Sequence, residues 1–362
     1  MKREPKIDIL SLAQKCVALI ETTKMSATYK PATFVALLNV ITQQVDKRGQ
    51  PPKHVSVADI GREVLRLYWH QAVSFEDRGP LKQAPKGDVV AQIVQFRTAH
   101  KLILPRNALE QALANDPKGF RKLELHCIKT VANIPIRLLQ KFGEGKNARE
   151  EQFLYGFSWK GNLPAKQIET AHLTLKPGVG EGLLLLSPLL RTQLENLWMS
   201  YVSERNRLPR SGLNKYLFGF MRSEVASLAK YLVPLQNNKC FYCRVTITKK
   251  SSHVDHVVPW SFSHDDGLDN LVAACAACNL NKSALLLGLP HLKNWSRRLT
   301  IGSPENIALT QLATQHNLDR NLDLTQRLAR SAYSLAPAGT LVWNSRDNLA
   351  TLDARMALTL LG

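Results

Sequence analysis

Two Cys-x-x-Cys pairs, Cys240-Phe-Tyr-Cys243 and Cys275-Ala-Ala-Cys278, constrain this chain more than any other feature. Each pair can present two thiolates to one tetrahedral zinc. Together they close its coordination sphere, which makes such a site structural. The 31 residues between the pairs exceed the usual gap of roughly 15–20 in a simple zinc ribbon. Something is therefore built inside the loop that the metal clips shut. The opening MKREPKIDILSLAQKC lacks an apolar export signal, so the expected compartment is the cytoplasm and paired thiols point to metal rather than disulfides. Cys16 and Cys127 lie in apolar helical patterns and read as buried small side chains.

Inside the clip runs His253-Val-Asp255-His256-Val-Val-Pro259-Trp260, then the acidic stretch HDDGLD, then Asn270, and finally Cys278-Asn279-Leu-Asn281-Lys282. VDHVVPWSF, DDGLDN and CNLNK resemble the HNH endonuclease signature of homing endonucleases, bacterial toxins and restriction enzymes, and the HNH domain of the RNA-guided CRISPR nuclease. The resemblance covers about 50 residues, from Cys240 to roughly Leu289. Its longer context is similar to standalone bacterial HNH proteins of the restriction and phage-defence type. The resemblance implies a ββα-metal fold and hydrolysis of DNA phosphodiester bonds, nicking included. In it Asp255 and Asn279 hold one hydrated Mg²⁺ (or Mn²⁺), His256 is the general base, and Asn270 pins the loop that orients His256.

The residue types suit that chemistry. Phosphodiester hydrolysis needs a base to deprotonate water and a cation to steady the phosphorane and the departing oxygen. Imidazoles exchange protons near neutral pH, which suits His256 to the base's role. Two protein oxygens, with the other positions left to water and phosphate, are what Mg²⁺ tolerates. On an extended strand Asp255 and His256 would point to opposite faces, so the pair is expected where the strand bends into a loop. Asn279 is expected to begin the final helix, with Lys282 on the same side and within reach of a phosphate. His253 is a further candidate for phosphate contact. His264, Asp265 and Asp266 read as an exposed turn, and Trp260 as a packing residue.

The net charge of +19 favours a polyanionic partner, taken here as double-stranded DNA. Residues 239–290 hold five bases against four acids and residues 291–362 eight against five, so fifteen of those charges fall in residues 1–238. The electrostatic grip is thus expected upstream of the chemistry, with Arg205, Arg207 and Arg210 before the module and Lys293, Arg297 and Arg298 after it as backbone contacts. No run of 18 apolar residues exists for a membrane span. A regulatory protein partner in a defence system is compatible with these features, and the oligomeric state is unknown. The competing class is a non-catalytic zinc-stabilised nucleic-acid-binding module, against which the intact Asp–His–Asn set argues. A toxin acting on cellular nucleic acid is a third.

Periodicity gives an α+β, mainly helical chain: a helical N-terminal region with a small β element, followed by the zinc-clipped ββα-metal module. Helices are expected over Ile7–Glu21, Ala32–Lys47, Val57–Gln71, Val89–Leu102 and Lys122–Phe142. FLYGFSW, HLTLKP and GLLLLS read as short strands, Pro188–Arg207 and Leu213–Pro234 as helical. Amphipathic pieces follow near Pro304–Gln315 and Leu324–Leu335, then a hairpin around Thr340–Trp343. The expected divisions are 1–150 (basic, helical, DNA-engaging), 151–235, 236–290 (HNH) and 291–362. FGEGKN around Gly145 resembles the end of a P-loop, but Gln140 and Asn147 stand where it needs Gly and Ser or Thr. GVGEG lacks the third glycine of a dinucleotide fingerprint. Both read as turns.

Overall fold

The structure is a computed structural model in which residues 5–85, 89–102, 108–143, 148–218 and 225–362 are described. The segment around Gly145 lies outside them. The chain forms two compact units: residues 1–41 with 52–220, and residues 42–51 with 221–362. These divisions differ from the expected ones at 150, 235 and 290. Among the described residues no helix is long and apolar enough to cross a membrane.

The first unit is built on helices α1 (Ile9–Glu21), α2 (Val57–Gln71), α3 (Pro117–Asn133) and α4 (Val179–Asn206). In α2, Val57, Ile60, Val64, Leu65, Tyr68 and Trp69 recur at helical steps and are buried, while Ser56 caps the helix by accepting from the Asp59 N–H. Gly61 allows α2 and α3 to approach, since a Cβ there would stand 2.7 Å from the Ile128 Cα. The small β element is a three-stranded antiparallel sheet of β1 (His54–Ser56), β5 (His172–Leu175) and β4 (Tyr155–Gly156). It joins residues on both sides of position 150, which is why no division falls there. Beside it, β2 (Lys141–Phe142) pairs with β3 (Arg149–Glu150).

Two expectations change here. GLLLLS belongs to α4, which starts nine residues earlier than Pro188 and runs through that proline. A continuous apolar run does not distinguish a strand from a buried helix, and Leu183, Leu184, Ser187, Leu190 and Leu194 are buried at helical spacing. The helix expected over Lys122–Phe142 instead ends at Asn133, is followed by the short turn Pro135–Leu138, and gives way to β2. Pro135 accounts for the break, because a proline disfavours helical backbone in the residue before it.

The second unit has one core. It contains Cys240, Leu271, Val272, Cys278, Leu292, Trp295, Tyr333, Trp343 and Ala357, so the residues after 290 pack with the module rather than extending from it. The module's hairpin is β6 (Ser252–His256) against β7 (Leu271–Cys275), followed by α5 (Ala276–Lys282). Around it stand α6 (Leu289–Leu299), α7 (Pro304–His316), α8 (Leu322–Leu335), the hairpin β8 (Leu341–Ser345) with β9 (Asn348–Thr351), and α9 (Ala354–Leu361). Residues 42–51 join this unit because Arg327 and Arg330 of α8 donate to the carbonyls of Val45 and Lys47. Gly49 is required there: its φ is +75°, and a Cβ would meet the Ser331 nitrogen at 2.4 Å.

Candidate active site

The four thiols of Cys240, Cys243, Cys275 and Cys278 lie within 4.8 Å of one another. Zinc–sulfur bonds of about 2.3 Å in a tetrahedron place sulfurs about 3.8 Å apart, and Cys243 and Cys275 are separated by 3.8 Å. The donor set therefore fits a structural zinc. Local structure explains the convergence. The Cys240 N–H donates to Val245 O (2.8 Å) and the Arg244 N–H to Cys240 O (3.1 Å), with Arg244 at φ +64°, so the first pair sits on a tight knuckle. Cys275 ends β7 and caps α5, which puts Cys278 one turn along. The Phe241 N–H donates to Ala273 O (2.9 Å), and the Gln236 side chain brackets Ala273 through both backbone groups (2.7 and 2.8 Å). Cys16 and Cys127 are wholly buried in the first unit, and burial pushes the Cys16 thiol up to about 12.

In the hairpin Asp255 is registered opposite Val272 and His256 opposite Leu271, so both lie in the strand and the chain bends immediately afterwards. Strand alternation sets His253 and Asp255 on one face. That face meets α5: Asn279 Nδ2 lies 3.0 Å from His253 Nδ1, and the Lys282 ammonium lies 3.2 Å from Asp255 Oδ2 and 2.9 Å from His256 O. Asp255 is 7% exposed, and its Oδ2 also accepts from the Tyr242 hydroxyl at 2.5 Å. Tyr242 stands between the two knuckle cysteines, so the metal knuckle reaches the carboxylate through one side chain. Burial, then the neighbouring Asp255 charge, hold the phenol's pKa well above its ordinary value.

On the other side, His256 Nε2 lies 2.7 Å from Asp266 Oδ1. Trp260 Nε1 donates to Asp266 Oδ2 at 3.4 Å, and its ring lies against that of His264. The loop carrying Asp266 is fixed by Asn270, wholly buried. Asn270 Nδ2 donates to Val258 O (3.0 Å) and Asp265 O (2.9 Å), and its Oδ1 accepts from the Val258 N–H (2.8 Å). The reading of His264, Asp265 and Asp266 as an exposed turn is therefore corrected. Asp265 is buried, accepts from Thr325 Oγ1 (2.5 Å) and the Gly267 N–H, and is pushed by that burial up to about 6.

Lys282 is also placed differently from its expected phosphate contact. It is 0% exposed, and burial lowers its pKa against the pull of Asp255. Helical spacing gave its face but not its depth, and α5 docks with that face inward. Asn279 stands in the middle of α5 rather than at its start. Arg298 is 5% exposed, donating to Leu271 O and Leu268 O, which makes it a brace of the hairpin rather than a backbone contact for nucleic acid. Lys293 and Arg297 are exposed one turn apart on α6. Arg205, Arg207 and Arg210 are exposed in the first unit. Sequence reasoning missed Tyr242 and Asp266. A phenol between two paired cysteines and a carboxylate in the loop after His256 were the available signals.

The HNH endonuclease family model matches residues 240–285. The chain has no match among curated proteins or solved structures. The four-cysteine hairpin and helix of residues 240–285 belong to the HNH endonuclease superfamily.

Proposed function

We propose that the chain is a metal-dependent endonuclease that hydrolyses DNA phosphodiester bonds. The observation that carries the reading is the single face shared by His253, Asp255, Asn279 and Lys282, with the paired His256 and Asp266 at the end of the same strand. Asp255 and Asn279 would hold a hydrated Mg²⁺ or Mn²⁺. The donors fit a hard cation: with Asn279 Nδ2 turned to His253, its Oδ1 is left to ligate, and an ionised carboxylate keeps lone pairs beyond those used by Tyr242 and Lys282. When bound, that ion supplies charge stabilisation to the phosphorane and the leaving oxygen.

The chain's own residues divide the remaining work. His256 takes the proton from the attacking water, and Asp266 holds the imidazole and stabilises the cation formed. Asn270 keeps that loop in place. Lys282 offsets the Asp255 charge, so the pocket is close to neutral without substrate, and the ion is expected to bind firmly only together with a DNA phosphate. His253 keeps the Asn279 amide turned the productive way.

Lys282 and Tyr242 already engage Asp255, which is the one observation favouring a non-catalytic zinc-stabilised nucleic-acid-binding module instead. Supercoiled plasmid incubated with Mg²⁺, with Mn²⁺ and with EDTA separates the two. Relaxed or linear product with either ion and none in EDTA is expected. DNA binding without cutting under any divalent cation would overturn the enzyme and leave the binding module.

A further inference from the structure

A cavity of about 480 Å³ in the first unit has no part in the chemistry above. Its volume is within the range of small-molecule pockets, roughly 300–1,000 Å³. Three cations border it from three separate places: Arg137 on the turn Pro135–Leu138, Lys141 on β2, and Lys160 in the segment after β4. Among the described residues none of the three makes an ion pair. Lys141 is registered opposite Glu150 across β2 and β3, yet no salt bridge forms between them. Three cations beside the single carboxylate of Glu150 leave the cavity net positive, which favours an anion among them.

Two aromatic side chains complete the cavity. Phe157 is half-buried and its ring centroid lies 4.5 Å from that of Trp159, tilted by 37°. Trp159 is only 8% exposed, and its buried indole N–H has no acceptor among the described residues. Glu150 and Gln152, both exposed on the rim, offer acceptors and an amide that a base edge could use.

We infer that this cavity binds a nucleotide unit, with a base against Phe157 and phosphate among Arg137, Lys141 and Lys160. Aromatic stacking beside unpaired cations is the combination that holds single-stranded nucleic acid without reading its sequence. An acidic peptide would satisfy the cations but leave the aromatic pair and the amide rim without purpose.

The test is fluorescence anisotropy of the full, zinc-loaded chain without added Mg²⁺ or Mn²⁺, with labelled oligothymidylate as the strand probe and labelled ATP as the free-nucleotide probe. The double variant Arg137→Glu, Lys160→Glu is expected to weaken at least one probe by about tenfold or more and to flatten its salt dependence. Phe157→Leu, which keeps apolar volume but removes the ring, is expected to cost about tenfold, and Trp159→Phe a smaller loss. Thermal melting of each variant checks that the unit stays folded. Dependence of the oligonucleotide alone assigns a strand, and dependence of ATP alone a free nucleotide. Unchanged affinity of both probes in the double variant, or no binding of either to the unaltered chain, overturns the inference. Plasmid cutting by the unaltered chain is read separately, so a chain that cuts but ignores these substitutions loses only this site.

Discussion

At the scale of single residues, the pairing of His256 with Asp266 decides how the imidazole can work. A carboxylate 2.7 Å from one ring nitrogen fixes the proton there and leaves the other nitrogen to accept. Asp266→Asn keeps the shape and removes the charge, so turnover should fall by about 10²-fold while KM and zinc content change little. Single-turnover cutting beside metal analysis measures this, and parent-like turnover would remove Asp266 from the account. Asp265 makes a different prediction. Its pKa is pushed up to about 6 by burial, from 3.8 in the unfolded chain, so the folded state keeps the proton longer. Stability should therefore fall as pH rises through 6 and be regained as pH falls toward 4. Asp265→Asn can still accept from the Gly267 N–H and meet the Thr325 hydroxyl. It should be more stable than the parent at pH 8 by about 1–3 kcal/mol and gain less at pH 5, read by urea unfolding. The cysteine pairs, Asp255, His256, Asn270 and Asn279 could be picked out in the sequence because their types and order carry the pattern. Lys282 and Arg298 could not be placed, because depth is set by how a helix docks, which spacing along that helix does not encode.

Among the elements, α5 depends most on its surroundings. Seven residues are too few for an isolated helix to persist in water, and its N-cap residue is a cysteine that makes no side-chain capping bond. The thiols at its first turn and the buried Lys282 at its end hold it to the hairpin. Removing zinc with a chelator should therefore free α5, lower the unfolding midpoint of the second unit and abolish cutting, with both restored by zinc. Calorimetry with and without chelator measures the effect, and an unchanged midpoint after demonstrated metal loss would contradict it. The strongly patterned helices were legible from periodicity, and so was the terminal hairpin, which spans Leu341–Thr351 rather than only Thr340–Trp343. GLLLLS was not, because an apolar run without polar interruptions carries no period. Strands β1 to β3 were hard to see because two or three residues are too few to show alternation, whereas β4 falls inside FLYGFSW, which reads as a strand.

For the whole molecule, the sequence shows an uneven spread of charge, with fifteen of the nineteen net positive charges in residues 1–238 and the HNH segment nearly neutral. The grouping of residues 42–51 with 221–362 was beyond sequence reading, because it rests on Arg327 and Arg330 reaching carbonyls more than 280 positions away. The central claim is that the clipped hairpin and helix hold an imidazole ready to deprotonate water beside a cation. The most direct test is single-turnover cutting of supercoiled plasmid by His256→Ala beside the parent, with zinc quantified in both. Cutting should fall by at least about 10²-fold with zinc content unchanged; a variant that keeps its zinc and cuts at the parent's rate would contradict the account.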